Sequence, residues 1–401
     1  MTGIPLFVAL LLLVPAGIFG MCLPVVRELG RPTRLACAAL CGAVVLSIEA
    51  AIFALAQIPL SLPLLFGPLV AASAAGGWFL CRLPESPGPE SAYPGIPCLL
   101  VVLVSTVFLQ GAFAAGGPAL TSGSIFVGMP AVAVSTAAGG TARFLPIFWL
   151  LAGLPLVAAL LSIHVNQRRG WMIAASWYAV VSLTLSLRHP GDAVEVARIV
   201  FATLGALAVF SCAKEPRLLP LASIMLCGVA LTGNDSLVIV AAIVAGGVAR
   251  DVREGLIPAA KRAAIVLIGP AAAIAFGSDG LLARLGADRL PTIADAFTGT
   301  ISTGIFGLTW ALPLLVLAAM LPGKQRRIAS LLPILAPCAV LVIVLVLDAL
   351  ELRGQANWNA AATAPFVASE ALALLVITSG LALRERSPHH ARQPHRTAPA
   401  R

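Results

Sequence analysis

Side chains able to move a proton are scarce in this chain and fall into two groups. The first is a pair of carboxylates inside long apolar runs, Glu49 within Leu35–Ile58 and Glu370 within Ala360–Leu383. An ionised group in such a run is costly to desolvate, so each raises a functional question. Each can handle a proton or a substrate. Alternatively each is a neutral acid hydrogen-bonded to a neighbouring helix, because neither run contains a basic residue. The second group lies in polar breaks between apolar runs. The stretch Arg188–Arg198 reads RHPGDAVEVAR and carries Arg188, Asp192 and Glu195. Asp192 can open a helix as its N-cap with Glu195 in the capping-box position, or the two can serve a site. Asp235 follows Asn234 in another break, and the loop Gly277–Thr298 adds Asp279, Arg284, Asp288, Arg289 and Asp295. A last break holds Asp348, Glu351, Arg353 and Trp358. Carboxylates like these can act as general bases, and arginines can clamp a phosphate.

The elements that must position these groups follow from composition. Of 401 residues, 59% are hydrophobic and only 11% charged, and the mean hydropathy is +0.99. Soluble domains carry about 25% charged residues, so lipid is expected to solvate much of this surface. About thirteen apolar runs can be drawn: Ile4–Val26, Leu35–Ile58, Leu62–Cys81, Pro97–Ala115, Phe144–Ile163, Trp171–Leu187, Ile199–Ala213, Leu218–Leu231, Ser236–Ala249, Ala263–Phe276, Thr300–Leu321, Ile328–Leu347 and Ala360–Leu383. Leu218–Leu231 and Ser236–Ala249 are short for a bilayer core of about 30 Å and either span it or dip into it.

When the runs alternate across a membrane, 20 of the 26 basic residues fall on one side. Cytoplasmic loops concentrate Lys and Arg, so that side is inside and the N-terminus outside. The first cations, Arg27, Arg31 and Arg34, follow the first run, and none precedes it. A cleaved signal peptide is therefore not expected. The reading is an all-α polytopic transmembrane bundle of about thirteen (eleven to thirteen) segments in one domain, residues 1–383, in a bacterial cytoplasmic (inner) membrane. The basic, proline-rich residues 384–401 are expected to form a disordered cytoplasmic tail. The formal charge of +9 then reports topology, not nucleic-acid binding. Eight cysteines lie in or beside apolar runs without CxxC spacing. They read as small buried residues, and no metal site is expected.

Three stretches resemble the GT-C superfamily of membrane glycosyltransferases, which use polyprenyl-phosphate sugars. They are the long outer loop Gly116–Arg143, the segment PGDAVEVARIVFATLGALAVF (Pro190–Phe210), and LASIMLCGVALTGNDSLVIVAAIVAGG (Leu221–Gly247). The resemblance implies transfer of a sugar from a lipid-phosphate carrier at the outer face. A carboxylate would remove the acceptor proton, a divalent cation would be its cofactor, and membrane lipids with the lipid-linked sugar would be partners. Such enzymes carry their principal carboxylate in a loop like Gly116–Arg143, yet no Asp or Glu occurs there. A lysine usual after Leu-Thr is replaced by Gly233. Asp192 with Glu195 is then the catalytic candidate, with Arg188, Asp235, Asp279, Arg284 and Arg353 around the substrate, or the chain is a non-catalytic relative. Two other classes stand beside this one. Glu49 and Glu370 suit a secondary transporter or lipid flippase, and the missing loop carboxylate suits a structural subunit of a membrane complex.

Overall fold

A computed structural model describes residues 31–55, 94–115, 145–188, 193–232, 236–276, 331–339 and 360–382. These residues are almost wholly α-helical, and no strand occurs among them. The helices are α1 (Arg31–Leu55), α2 (Ile96–Ala115), α3 (Leu145–Ser162), α4 (Gln167–Arg188), α5 (Ala193–Ser211), α6 (Leu219–Leu231), α7 (Ser236–Asp251), α8 (Leu256–Phe276) and α9 (Ala360–Ala382). A further helical stretch covers 332–339. The apolar runs Ile4–Val26, Leu62–Cys81 and Thr300–Leu321 lie outside the described residues.

Local sequence explains the breaks. Asn166 Oδ1 accepts the Arg169 backbone N–H at 2.9 Å, satisfying a donor that the first turn of α4 leaves open. Thr232 closes α6 by donating to the Val229 carbonyl, and its hydroxyl lies 2.7 Å from that of Ser236, the first residue of α7. Gly255 has φ 127°, a left-handed conformation that suits a residue without Cβ. It lets the chain turn from the 3₁₀ segment Val252–Glu254 into α8. A 3₁₀ turn, Pro216–Leu218, likewise precedes α6.

Two differences from the sequence reading concern length. The short run ending at Ala249 continues to Asp251, and α5 begins at Ala193 instead of Ile199. Arg198 therefore lies inside a helix and not in a loop. One helix, over Leu256–Ile274, is long and apolar enough to cross a membrane. Shorter apolar helices cover Ile96–Gly111, Ile147–Ser162, Val196–Ser211, Pro216–Leu231 and Glu370–Ala382.

The core is organised around α5, which is buried at every residue from Val196 to Cys212. It packs against α3, α6, α7 and α9, while α4 packs on α2, α3 and α9. A helix apolar on all sides is a core element. Around it the short connections make successive helices alternate in direction. At one end α3 meets α4, α5 meets α6, and α7 meets α8. At the other lie the junctions α4–α5 and α6–α7 and the end of α8. The α9 helix starts toward that second end, because Gly380, near its finish, packs on Ile173 in the early turns of α4.

Small residues let these backbones approach. A Cβ added at Gly228 would strike the Phe201 ring, and one at Gly269 would strike the Ser223 carbonyl. The Gly269 N–H donates to Ser223 Oγ at 2.8 Å, one residue before the helix-internal Pro270. Between α2 and α4 the Thr106 and Tyr178 hydroxyls meet at 2.7 Å. A backbone carbonyl cannot rotate aside as a side chain can. Gly269→Ala should therefore destabilise the protein by roughly 1–3 kcal/mol, read as a lower thermal midpoint in detergent. At Gly111 a Cβ would meet nothing within 4 Å, so Gly111→Ala should leave the midpoint unchanged or raised. Equal stability of Gly269→Ala and parent would contradict the close approach.

Candidate functional site

The least expected contact involves the most protected charges. Arg198 projects from α5 and Glu370 from the middle of α9, with Nε and Oε2 3.6 Å apart and side-chain exposures of 6% and 1%. Glu370 thus has a cationic partner, supplied by a different helix. Pairing offsets part of the desolvation cost, but a buried pair adds little net stability beyond an apolar pair of similar volume. Its stronger effect is to penalise any arrangement in which α5 and α9 separate or slip. Glu49, on α1, contrasts with it: both carboxylate oxygens are buried and have no hydrogen-bond partner. A carboxyl in that setting suits proton uptake or a polar ligand better than it suits stability.

The other sequence candidates are placed as follows. α5 begins at Ala193, immediately after Asp192, which is where an N-cap at Asp192 would start it. Glu195 falls in the first turn of α5 and Arg188 closes α4, but their side chains lie outside the described residues. Asp192, Asp235, Asp279, Arg284 and Arg353 also lie outside them. The helix ends that flank these residues are described, and they share one end of the bundle. The α4–α5 junction, the α6–α7 junction, the end of α8 and the start of α9 all emerge there. The helices bearing them form one packed unit, α4 on α9, α9 on α5, α5 on α6 and α6 on α8. Sequence reading had no means of finding that convergence, because it depends on which helices touch.

The opposite end is basic and tightly braced. Arg250 donates through Nη1 to the Val209 and Phe210 carbonyls at 3.0 and 2.8 Å, a cation on the open carbonyls that end α5. Its Nε lies 2.6 Å from Asp251 Oδ1. Arg262 reaches Asp251 at 3.2 Å and Glu254 at 2.9 Å. Asp251 is 3% exposed, so two arginines hold a carboxylate that water scarcely reaches. His164 Nε2 lies 3.0 Å from Ser211 Oγ, and its ring packs on Phe210 with centroids 4.2 Å apart. Lys214 donates to the Ile163 carbonyl at 3.3 Å. A cavity of about 290 Å³, open at its mouth, lies beside this network, with Cys212, Leu219, Asp251 and Arg262 in its wall. Burial pushes the Cys212 thiol up to about 12, so it is no nucleophile near neutral pH.

Among the described residues, no group of three or more His, Cys, Asp or Glu is arranged to hold a metal ion. The carboxylates expected to hold a divalent cation, Asp192 and Glu195, are not among the described side chains. No protein-family model matches the chain, and no curated protein or solved structure does either.

Removing one member of the buried pair should cost far more than removing both. Arg198→Met or Glu370→Leu alone should lower unfolding free energy by roughly 3–5 kcal/mol, and the double replacement should recover most of the loss. Denaturant titration of the four proteins in detergent reads this coupling directly. Single losses that merely add would show that the two charges do not act as a pair.

Proposed function

We propose that the chain is a multi-pass membrane protein that transfers a sugar from a lipid-phosphate carrier at the face where the acidic breaks emerge, or a GT-C-like relative that has lost the reaction. The observation that carries this reading is the gathering of the flanking helix ends at one end of the bundle, opposite the basic end. Every described loop at that other end carries a Lys or Arg: Arg168 and Arg169 open α4, Lys214 and Arg217 precede α6, and Arg253 precedes α8. Such asymmetry is the pattern of a protein oriented by a membrane.

Exposed apolar surface supports the same setting. On α2, Leu103, Val107 and Phe108 are each more than 60% exposed, and on α8 Ile268 is 63% exposed. A contiguous apolar face of this kind is unfavourable in water and ordinary in lipid. The helices satisfy their backbone groups internally, as a lipid environment demands.

In the transferase reading, Asp192 removes the proton of the acceptor hydroxyl as the sugar leaves its phosphate carrier. Arg188, Arg284 and Arg353 hold that phosphate, and Asp235 and Asp279 face the sugar hydroxyls. A divalent cation, if bound, would neutralise phosphate charge beside Asp192 and Glu195. Transport or lipid flipping is the second reading, and the partnerless carboxyl of Glu49 favours it. The two separate experimentally. Asp192→Asn should reduce transfer of labelled sugar from a polyprenyl-phosphate donor in membrane vesicles by roughly 100-fold or more, the scale of a lost general base. Undiminished transfer would remove Asp192 from the reaction. Unimpaired transfer in Glu49→Gln, with loss of lipid or solute movement, would favour the second reading.

A further inference from the structure

At the basic end, α8 projects beyond its neighbours. Leu219, at the start of α6, shares a cavity wall with Ala259, Arg262 and Ala263, and Ser223 meets Gly269 higher up. This register leaves the first turn of α8 past the start of α6. That turn carries Leu256 and Ile257, 74% and 71% exposed, and Val252 before it is 42% exposed. Flanking these apolar side chains are four cations, which divide sharply. Arg250 and Arg262 are committed to Asp251, Glu254 and backbone carbonyls. Arg253 and Lys261 are exposed and, among the described residues, have no acidic partner. The internal network neutralises its own arginines and leaves two cations beside a protruding apolar tip.

Apolar side chains at the level of a headgroup layer, with cations beside them, fit an anionic membrane surface. The apolar part enters the acyl boundary, and each cation gains attraction to lipid phosphate. We propose that the segment from Val252 to Arg262 is a binding surface for anionic phospholipid headgroups of the leaflet at the basic end. Leu256 and Ile257 dip among the chain ends, and Arg253 and Lys261 meet the phosphates. The Arg250–Asp251–Arg262–Glu254 network is the brace that holds the turn at this depth. The proposal rests on the membrane reading above.

The test uses the full chain in nanodiscs of equal phosphatidylcholine and phosphatidylglycerol. Lipids retained after mild detergent extraction are counted by native mass spectrometry. The parent should retain phosphatidylglycerol preferentially, and Arg253→Gln with Lys261→Gln should weaken that preference by roughly fivefold for each cation, the factor matching ~1 kcal/mol at the surface. Arg253→Lys with Lys261→Arg should keep it, which separates charge from folding. Excess soluble glycerol phosphate should not displace the lipid. Displacement would mean a free-anion site and would overturn the proposal, as would an unchanged preference in the double glutamine protein. Release of the chain from native membranes by alkaline washing would instead refute the membrane reading itself.

Discussion

Water does not reach the middle helix of this bundle, and that constraint governs where the described charges around it can sit. Over Val196–Cys212 every residue of α5 is buried. The single cation within that span, Arg198, is matched by Glu370 of α9. At its basic end the open carbonyls of Val209 and Phe210 are taken up by Arg250, whose charge is met in turn by Asp251. The α5 helix is thus tied at two levels, once within the core and once at its terminus. Both ties run to helices distant in sequence, so they select one arrangement of the bundle over its alternatives. Charge pairs of this kind contribute specificity more than net stability.

Packing does the rest by proximity. Gly228 admits the Phe201 ring and Gly269 admits the Ser223 backbone, so α6 lies close to both α5 and α8. Close approach of small residues is the general means of joining helices where lipid competes for every apolar contact. Here it has a functional consequence under the proposed reading. Because α4, α5, α6, α8 and α9 form one unit, the breaks at their acidic ends are brought near one another. A set of carboxylates and arginines that is dispersed in sequence can then address one ligand.

Local features of the fold were legible in the sequence, and long-range ones were not. The break at Gly233-Asn234-Asp235 marks the end of α6 and the start of α7, and Asp192 precedes the first residue of α5 as an N-cap should. Composition sufficed for an all-helical reading. The extension of α5 to Ala193 was missed because Glu195 and Arg198 looked like loop residues by charge. The partner of Glu370 was sought within its own run, where no cation exists, and found on another helix. Helices apolar on nearly every side carry no periodic signal of which face meets which neighbour, so contacts such as Arg250 with Phe210 have no signature in the sequence. The charge network at the basic end had one available clue, the cluster of Arg250, Asp251, Arg253, Glu254 and Arg262 within a few turns.

The account's central claim is that the two ends of this bundle face opposite sides of a membrane, with the acidic breaks sharing one compartment. Reporter fusions placed at Arg169, Lys214 and Arg253, and separately at Pro190 and Asn234, measure this most directly. The account predicts cytoplasmic reporter activity at the first three positions and outer-face activity at the other two. Activity on the same side at Lys214 and Asn234, which α6 alone separates, would contradict it.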